Sequence, residues 1–394
     1  MPSSISSSDG ALPIEPPRAG FVRLTAADRP GVAQPVPERD IPVQPWRSIW
    51  LGATVLALLL IGAWEWQWRA FGVTPSYRNS DGQWAMQRHR IDQGEGNRTV
   101  LIGSSRVLFD VQLPTWQGLT GERPIQLALE GTSPLPVLED LAADPRFTGR
   151  LVVGIAPLEF FTADANRGSV VAFAHKQSPS QRIGNWLSMH LLEPYLAFDD
   201  PDFALAKVIK RQPWPLRAGG HPPFAVRKLA VSEADRNTQM WAKLQTDAGY
   251  RALARNIWLQ LLNRPPPPDL ATPAKLQKLA GEQIDRAATA IATLRARGVQ
   301  VVFVRPPSNG PFYAFEEKLL PRAQTWDVLL RRTQAPGIHF MDYPQLQGYQ
   351  QPEWSHLAAP DATRFTAAVV PLIERDFRRP PAPTPDRTRS VALH

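Results

Sequence analysis

Three side chains in this sequence have the types and order needed to activate a hydroxyl group. Ser105 closely follows the apolar run 99–102, and Glu353 and His356 lie three residues apart far downstream. A serine nucleophile needs an imidazole that takes its proton and a carboxylate that orients the imidazole. Each residue type is common by itself, so the signal lies in their order and in their attachment to predicted strand ends. The pattern predicts a serine–histidine–acid site.

The composition restricts the kinds of site and partner. The 394 residues carry a formal net charge of +8 and include no cysteine, which excludes disulfides, cysteine nucleophiles and thiolate metal sites. The histidines and acidic residues show no metal-ligand spacing, and no glycine-rich phosphate loop is present. The basic residues are scattered and form no nucleic-acid-binding motif. We therefore expect no metal, no other cofactor and no nucleic-acid partner.

An uncharged apolar segment lies near the amino terminus. Residues 48–64 contain no charged side chain, and a helix of this length measures about 26 Å, slightly less than a ~30 Å hydrocarbon core. Tryptophans of the kind found at both membrane interfaces flank or end the run: Trp46, Trp50, Trp64, Trp66 and Trp68. We expect a transmembrane helix over 46–68. A buried core helix and a cleaved signal peptide are the alternatives; 47 residues precede the run and no small-residue cleavage site follows it.

The charges beside this segment favour a cytoplasmic amino terminus. Within about 20 residues of the span, the positive-inside rule counts Arg29, Arg39 and Arg47 on the amino side against Arg69 and Arg78 on the carboxyl side. This small excess predicts a single-pass protein whose main domain lies outside the cytoplasmic membrane.

The remaining sequence divides into tails, a connecting segment and one large domain. The tails lack apolar periodicity and are predicted to be disordered. In the connecting segment, Asp81 is the candidate cap of a helix that ends near Ile91. The predicted division is a disordered tail (1–45), the transmembrane helix (46–68), a juxtamembrane segment (69–97), the large domain (98–376) and a second disordered tail (377–394).

Five short apolar runs predict the strands of the large domain. They are near-continuous in Val, Ile and Leu, as is typical of parallel strands covered on both faces, and occupy 99–103, 125–129, 151–155, 299–304 and 338–341. Helices are predicted at 135–143, 273–297 and 360–377. This alternation predicts an α/β fold, a three-layer, doubly wound, mostly parallel five-stranded sheet.

A long insertion separates the third predicted strand from the fourth. Residues 164–269 exceed what one crossover needs and contain helical stretches at 204–209 and 235–262. We expect them to form either a cap over the active face or a surface for a partner. A basic run near Trp214 is interpreted as a solvated face, with lipid headgroups or an acidic glycan as the alternative: Lys207, Lys210, Arg211, Arg217, Arg227 and Lys228.

Motifs at the predicted strand ends resemble those of the SGNH/GDSL hydrolase superfamily. Gly-Ser-Ser ends in Ser105 after the first strand, Gly131 follows the second strand, and Glu353-x-x-His356-Leu follows the fifth. The similarity covers residues 98–376 and is nearest to the membrane-anchored bacterial envelope branch, which includes proteins related to alginate acetylation. It implies an SGNH, flavodoxin-like form of the sheet and a serine esterase or O-acyltransferase activity. It also implies a cell-envelope or exported polysaccharide as the acylated glycan substrate.

The resemblance assigns a role to each residue. Ser105 occupies the nucleophile position, His356 that of the general base, and Glu353 the place where the family usually has aspartate. The backbone N–H groups of Ser105 and Gly131 correspond to the oxyanion hole. The family's third oxyanion donor is an asparagine after the third strand, where this chain has Gly-Ile-Ala-Pro. Loss of one such donor typically costs about 10² to 10³ in rate.

Two functions stay open from the sequence. The first is a membrane-anchored esterase or O-acyltransferase of the bacterial inner membrane, with a periplasmic domain that works beside membrane acyl-transfer or export proteins. The second is a non-catalytic anchored component of a polysaccharide biosynthesis or export complex. The missing asparagine and the Glu-for-Asp exchange favour the second function, whereas the retained serine and histidine favour the first.

Three further polar residues near the strand ends have two interpretations each. Arg106 and Arg305 either contact an anionic substrate or pair with acidic side chains, and we favour pairing. Asn309 either supplies the missing amide or is a turn residue, and we favour the turn.

Overall fold

The computed structural model describes residues 44–212, 214–215 and 227–378. The predicted tails, apart from 44–45 and 377–378, lie outside the described residues, and so does Arg217 of the basic run. Contacts divide the chain into two units, one ending at Leu59 and one beginning at Leu60.

An apolar helix, α1 (Trp46–Ala70), begins in the first unit and ends in the second. Every residue from 46 to 59 is exposed. The most apolar 18-residue window has a mean hydropathy of 1.7 and is not buried at all. By length and composition this helix could cross a membrane, as predicted, and it extends two residues beyond the predicted end. An all-round apolar helix without a protein cover is what a lipid environment stabilises.

A parallel sheet forms the centre of the second unit. Its strands lie in the order β2-β1-β3-β6-β7, and all adjacent pairs are parallel. The described strands are β1 (Thr99–Ile102), β2 (Ile125–Gln126), β3 (Arg150–Gly154), β4 (Ala230–Ser232), β5 (Thr238–Met240), β6 (Gln300–Arg305) and β7 (Gly337–His339). All five predicted strands are present in one sheet, but β2 ends at Gln126 instead of 129 and β7 ends at His339 instead of 341, where a 3₁₀ turn follows. The order reverses between β1 and β3, which is where open α/β sheets bind ligands.

The helices predicted at 135–143, 273–297 and 360–377 are confirmed to within one residue at each end. The described α-helices that follow α1 in the chain surround the sheet. They are α2 (Asp81–Arg90), α3 (Ser105–Asp110), α4 (Leu113–Thr120), α5 (Leu135–Ala143), α6 (Pro157–Phe161), α7 (Val170–Lys176), α8 (Pro179–Leu191), α9 (Leu205–Lys210), α10 (Lys243–Thr246), α11 (Ala248–Leu262), α12 (Pro273–Ala296), α13 (Gly310–Leu319), α14 (Trp326–Thr333) and α15 (Ala359–Phe377).

Two hydrophobic clusters cover opposite faces of the sheet. Successive side chains of a strand point to opposite sides. Val100 and Ile102 accordingly join a cluster with α2, α5 and α12, whereas Leu101 joins one with α3, α4 and α15. Burial on both sides explains why β1 is apolar throughout. The second unit is thus a three-layer α/β structure.

The cap predicted for α2 is wrong by one residue. Ser80 is the N-cap, since its Oγ accepts a hydrogen bond from the Gln83 N–H at 3.1 Å. Asp81 instead accepts from the Arg167 guanidinium. Serine and aspartate cap helices equally well, so their neighbouring positions in the sequence did not distinguish them.

The continuous helix predicted over 235–262 is wrong at its start. Residues 238–240 form β5, which pairs antiparallel with β4, and helical structure resumes only at α10 and α11. The hairpin turn holds Arg236 in a left-handed conformation, with φ of +69°. Its guanidinium donates to the carbonyl oxygens of Gln126 and Ala128, at and beyond the end of the edge strand β2. The hairpin therefore covers carbonyls that a neighbouring strand would otherwise bind.

Two glycines let α3 pack closely against the sheet. A Cβ on Gly154 would lie 1.8 Å from Cγ2 of Val107, and a Cβ on Gly103 would lie 2.5 Å from the same atom. Val107 therefore occupies space that only glycines at the ends of β1 and β3 leave open. This contact fixes the position of α3, whose first residue is Ser105.

Gly154→Ala is expected to displace Val107 and to destabilise the chain by about 1–3 kcal/mol, the usual cost of overpacking. Thermal unfolding of the detergent-solubilised full chain measures the effect. The control is Gly281→Ala, because a Cβ there meets no atom within 4 Å. Val107→Ala should cost less stability in the Gly154→Ala background than in the unmodified chain. Equal costs in both backgrounds would contradict the contact.

Candidate active site

Ser105, His356 and Glu353 are joined by hydrogen bonds. The Ser105 Oγ lies 2.7 Å from Nε2 of His356, and Nδ1 of His356 lies 2.9 Å from Oε1 of Glu353. His356 and Glu353 are buried, and Ser105 is partly exposed. The structure therefore brings together the three side chains that the sequence indicated, from a reachable hydroxyl to a buried carboxylate.

The end of β1 positions Ser105. Ser104 is the N-cap of α3 and has extended backbone angles, so the chain turns there from strand into helix. The Leu129 N–H donates to the Gly103 carbonyl at 2.9 Å, which joins the segments that follow β1 and β2. Ser105 consequently lies at the carboxyl edge of the sheet, where a hydroxyl is accessible to a ligand.

The loop before α15 carries His356 and contacts α3 at several points. Besides the bond to Ser105, the Leu357 N–H donates to Oδ1 of Asp110 at 2.9 Å. The Phe109 ring lies against the imidazole, with centroids 4.4 Å apart. Because Ser105, Phe109 and Asp110 all belong to α3, one short helix holds both the hydroxyl and the base.

A left-handed residue shapes the histidine loop. Trp354 has φ of +74°, uncommon for a residue with a side chain. Its carbonyl accepts the Asn309 N–H at 3.0 Å, which ties the loop after β6 to the histidine loop. Beside this residue, Glu353 turns back so that Oε1 accepts both the backbone N–H of His356, at 2.6 Å, and the ring Nδ1. The extra methylene of glutamate relative to aspartate does not prevent the contact.

The second oxygen of Glu353 is bound by the insertion. Trp258, in α11, donates its indole N–H to Oε2. The neighbouring Arg255 donates to the Pro352 carbonyl at 2.7 Å, and its guanidinium lies over the Trp354 ring. The insertion is therefore part of the site's support. This supporting contact is neither the cap nor the partner surface that the sequence suggested for the insertion.

Charge coupling sets the protonation of the pair. Burial by itself lowers the pKa of His356, but the charge of Glu353 and its hydrogen bond outweigh burial, so that this pKa is raised above 6.5. Burial raises the pKa of Glu353, yet the charge of His356 and the hydrogen bonds from His356 and Trp258 lower it overall. With Nδ1–H directed at Glu353, Nε2 is left to accept the Ser105 proton.

Asp110 is a second buried carboxylate beside the histidine. Burial raises the pKa of Asp110 to about 7, against the lowering effects of His356, the Leu357 N–H and Arg106. Its Oδ2 has no hydrogen-bond partner among the described residues. An Asp110 that is neutral over part of the physiological range leaves Glu353 as the charged partner of His356.

Arg106 and Arg305 pair with an acid, as the favoured interpretation predicted. Both guanidinium groups lie 2.7 Å from the carboxylate of Glu316, and all three side chains are buried. Arg106 also reaches Oγ of Ser355, the residue before His356, at 3.3 Å. Breaking such a buried network by removing one partner typically costs about 3–5 kcal/mol. Both arginines are buried, and Arg106 contacts the histidine loop through Ser355.

The two backbone N–H groups predicted as oxyanion donors belong to Ser105, the first residue of α3, and to Gly131. Gly131 follows the segment bonded to Gly103 and has φ of +52°, a conformation that favours glycine. In the described chain the N–H groups of Ser105 and Gly131 donate to no protein acceptor. After β3, residues 156–157 begin α6 and offer no side-chain amide. The amide of Asn166, which the sequence did not indicate, lies beside Gly131, 3.5 Å from the position of a Cβ there.

Asn309 is the N-cap residue of α13, in line with the favoured turn interpretation. Its side chain makes no capping hydrogen bond, and Oδ1 has no partner among the residues that the structure describes. Within the same described ranges, no group of three or more His, Asp or Glu side chains could hold a metal ion.

Comparison with known proteins does not assign this site to a family. No family model matches the chain, and no curated protein matches it. The interpretation of the site therefore depends on its residues and their contacts.

Trp258→Phe is expected to destabilise the chain by about 1.5–3 kcal/mol at neutral pH, the usual value of a hydrogen bond to a charged group. Phenylalanine keeps the packing against Phe312, whose ring centroid lies 5.9 Å away, and removes only the donor to Glu353. Thermal unfolding in detergent measures the change. Trp66→Phe, at a side chain 70% exposed, is the matched control. Equal stability of the two variants would contradict the importance of this contact.

Proposed function

We propose that this protein is a membrane-anchored serine esterase or O-acyltransferase of the SGNH type. The observation that carries the proposal is the unbroken hydrogen-bonded series Ser105–His356–Glu353 at the carboxyl edge of a parallel sheet. The motif resemblance after β1, β2 and β7 supports the same conclusion, as does the strand order of the sheet.

The proposed reaction has two halves, and the same three side chains act in both. Ser105 Oγ attacks the carbonyl carbon of an ester while His356 Nε2 takes the hydroxyl proton. The backbone N–H groups of Ser105 and Gly131 stabilise the oxyanion. The tetrahedral intermediate collapses, the bond to the leaving alcohol breaks, and the imidazolium returns the proton to that alcohol. An acyl group is then held on Ser105 as an ester, and Glu353 has stabilised the charged imidazole throughout.

The second half of the reaction distinguishes a hydrolase from a transferase. His356 takes a proton from water or from a sugar hydroxyl, the resulting oxygen attacks the acyl ester, and the proton returns to Ser105. Water gives a free acid, and a sugar gives a new ester. The same three residues serve both outcomes, so the acceptor is determined by the surface around the site.

The proposed substrate and location follow from the resemblance and the anchor. The substrate class is an acylated glycan, a cell-envelope or exported polysaccharide. α1 would hold the protein in the bacterial inner membrane with its amino terminus in the cytoplasm and its main domain in the periplasm. Membrane acyl-transfer or export proteins would be its partners.

A non-catalytic role in a polysaccharide biosynthesis or export complex is the second candidate. No amide side chain directly follows β3. Loss of such an oxyanion donor lowers the rate, so its absence favours the non-catalytic role. The two candidates differ in whether Ser105 is nucleophilic.

The proposed activity predicts covalent labelling of the full chain by a fluorophosphonate and turnover of p-nitrophenyl acetate. Ser105→Ala should abolish both, since it removes the attacking oxygen. Ser104→Ala is the matched control: the neighbouring Ser104 Oγ is buried and has no described partner, so this variant should still be labelled. An unmodified chain that is neither labelled nor active would exclude the esterase and support the non-catalytic role.

The charge coupling at His356 predicts the pH dependence of the activity. Only the neutral imidazole accepts the Ser105 proton, and its pKa is raised above 6.5, so kcat/KM should increase with pH through a midpoint above 6.5. Glu353→Gln removes the charge that raises this pKa most, whereas burial, which lowers the pKa, and the smaller raising effect of Asp110 stay. The midpoint should therefore move to lower pH, and the plateau should fall, by about 10⁴-fold for the equivalent change in a serine protease. A midpoint unchanged by Glu353→Gln would contradict the coupling.

A further inference from the structure

The insertion exposes an apolar helix face. In α8, Ile183, Trp186, Leu187 and Leu191 follow one another at helical spacing, and all are between 42% and 60% exposed. The opposite face carries the buried Met189 and packs on α2, where Asn185 contacts the Met86 sulfur. α8 therefore directs its apolar stripe outward, the reverse of an ordinary surface helix.

The apolar surface continues beyond α8 and has a basic border. Tyr195 is 63% exposed, and in α9 Leu205 and Ile209, one helical turn apart, are also exposed. Exposed Arg182 and Lys210 lie in the same two helices. Of the acidic residues between them, Glu193 is buried and accepts hydrogen bonds from the Arg78 N–H and the Ser188 hydroxyl. The other three are held in ion pairs: Asp199 with Arg78, Asp200 with Lys228 and Asp202 with Lys207 and Arg211. We refer to the exposed residues of α8, α9 and Tyr195 as the α8–α9 face.

The segment between α8 and α9 is bound to the carboxyl-terminal part of α1. The Ala197 and Phe198 N–H groups donate to Glu65 at 3.0 and 3.1 Å, and Arg69 donates to the Tyr195 carbonyl at 2.8 Å. Trp68 packs against Phe203, with ring centroids 4.6 Å apart. Glu65 and Arg69 are the first charged residues after the apolar run, so they mark the level at which α1 leaves the hydrocarbon. The α8–α9 face thus begins at the membrane boundary.

We propose that the α8–α9 face lies in the headgroup region of the anionic membrane that α1 crosses. Aromatic and aliphatic side chains bordered by basic residues fit this region, where apolar groups enter the acyl boundary and cations meet lipid phosphates. The α8–α9 face begins where α1 leaves the hydrocarbon, and this position favours lipid as its partner. A soluble protein or a second copy of the chain would not need to bind beside the membrane surface. The inference depends on the anchor and not on the chemistry at Ser105.

Binding of the α8–α9 face to lipid would also determine how far the candidate active site lies from the membrane surface. α11 carries Tyr250, whose ring lies 6.3 Å from that of Phe71 beside the anchor, and Trp258, which binds Glu353. Eight residues of helix separate them, about 12 Å. A face held in the lipid surface would therefore keep the site close to that surface, within reach of a membrane-bound acyl donor or glycan.

The test uses the full chain, which contains no cysteine and so allows a single label at a chosen position. Leu187→Cys and Ile209→Cys, each labelled with a nitrobenzoxadiazole fluorophore, are reconstituted into vesicles of phosphatidylcholine and phosphatidylglycerol with and without nitroxide phospholipids. Leu119→Cys is the matched control, because Leu119 is 51% exposed and lies in α4, outside the insertion. Unchanged thermal unfolding of each variant verifies its fold.

Lipid contact predicts blue-shifted emission at positions 187 and 209 and at least about twofold quenching by the nitroxide lipids, since probe and quencher share a depth of about 5–10 Å. Position 119 should emit as in water and stay unquenched. Replacing phosphatidylglycerol by phosphatidylcholine should weaken the quenching. Water-like emission at 187 and 209 would overturn the proposal. So would a blue shift that the nitroxide lipids do not quench and that grows with the protein-to-lipid ratio, because it would show contact between copies.

Discussion

Burial of the Glu353 carboxylate is the constraint on which the candidate site depends. A carboxylate with no solvent exposure is stable only if protein groups replace the water that it loses. Three donors do so: the backbone N–H and ring Nδ1 of His356, and the indole of Trp258. The first two come from the loop that Glu353 itself belongs to, and the third comes from the insertion. Satisfying one acid therefore joins the end of the sheet, the histidine loop and the insertion into one structure.

The short helix α3 is the second element that the site requires. It is seated on Gly103 and Gly154 through Val107, presents Ser105 at its first residue and receives the histidine loop through Asp110 at its last. A shift of this helix would move the Ser105 hydroxyl and the His356 imidazole together relative to the strand ends. It would also separate both groups from the N–H group of Gly131. Two glycines without side chains are consequently as important to the geometry as the polar residues.

The insertion connects the site with the anchor through a single helix. α11 begins beside the aromatic cluster of Phe71, Phe203 and Trp241 and, two turns later, binds Glu353 through Trp258. Neither a cap nor a detached partner surface describes this arrangement fully. The insertion is a support that has one end at the candidate site and the other at the point where the chain leaves α1.

The sequence by itself determined the positions of the five parallel strands, the helices α5, α12 and α15 and the apolar helix, and it singled out Ser105, His356 and Glu353. These features depend on periodicity, on residue type and on neighbours in the chain, all of which are legible locally. Only the tertiary structure decided that Trp258 binds Glu353, that Asp110 lies beneath the histidine loop, that Arg236 covers the edge of β2 and that Arg106 and Arg305 share Glu316. Apart from the Arg305–Glu316 pair, these contacts join residues far apart in the chain. The packing of whole helices and strands selects the partners, and no local residue pattern reveals that packing.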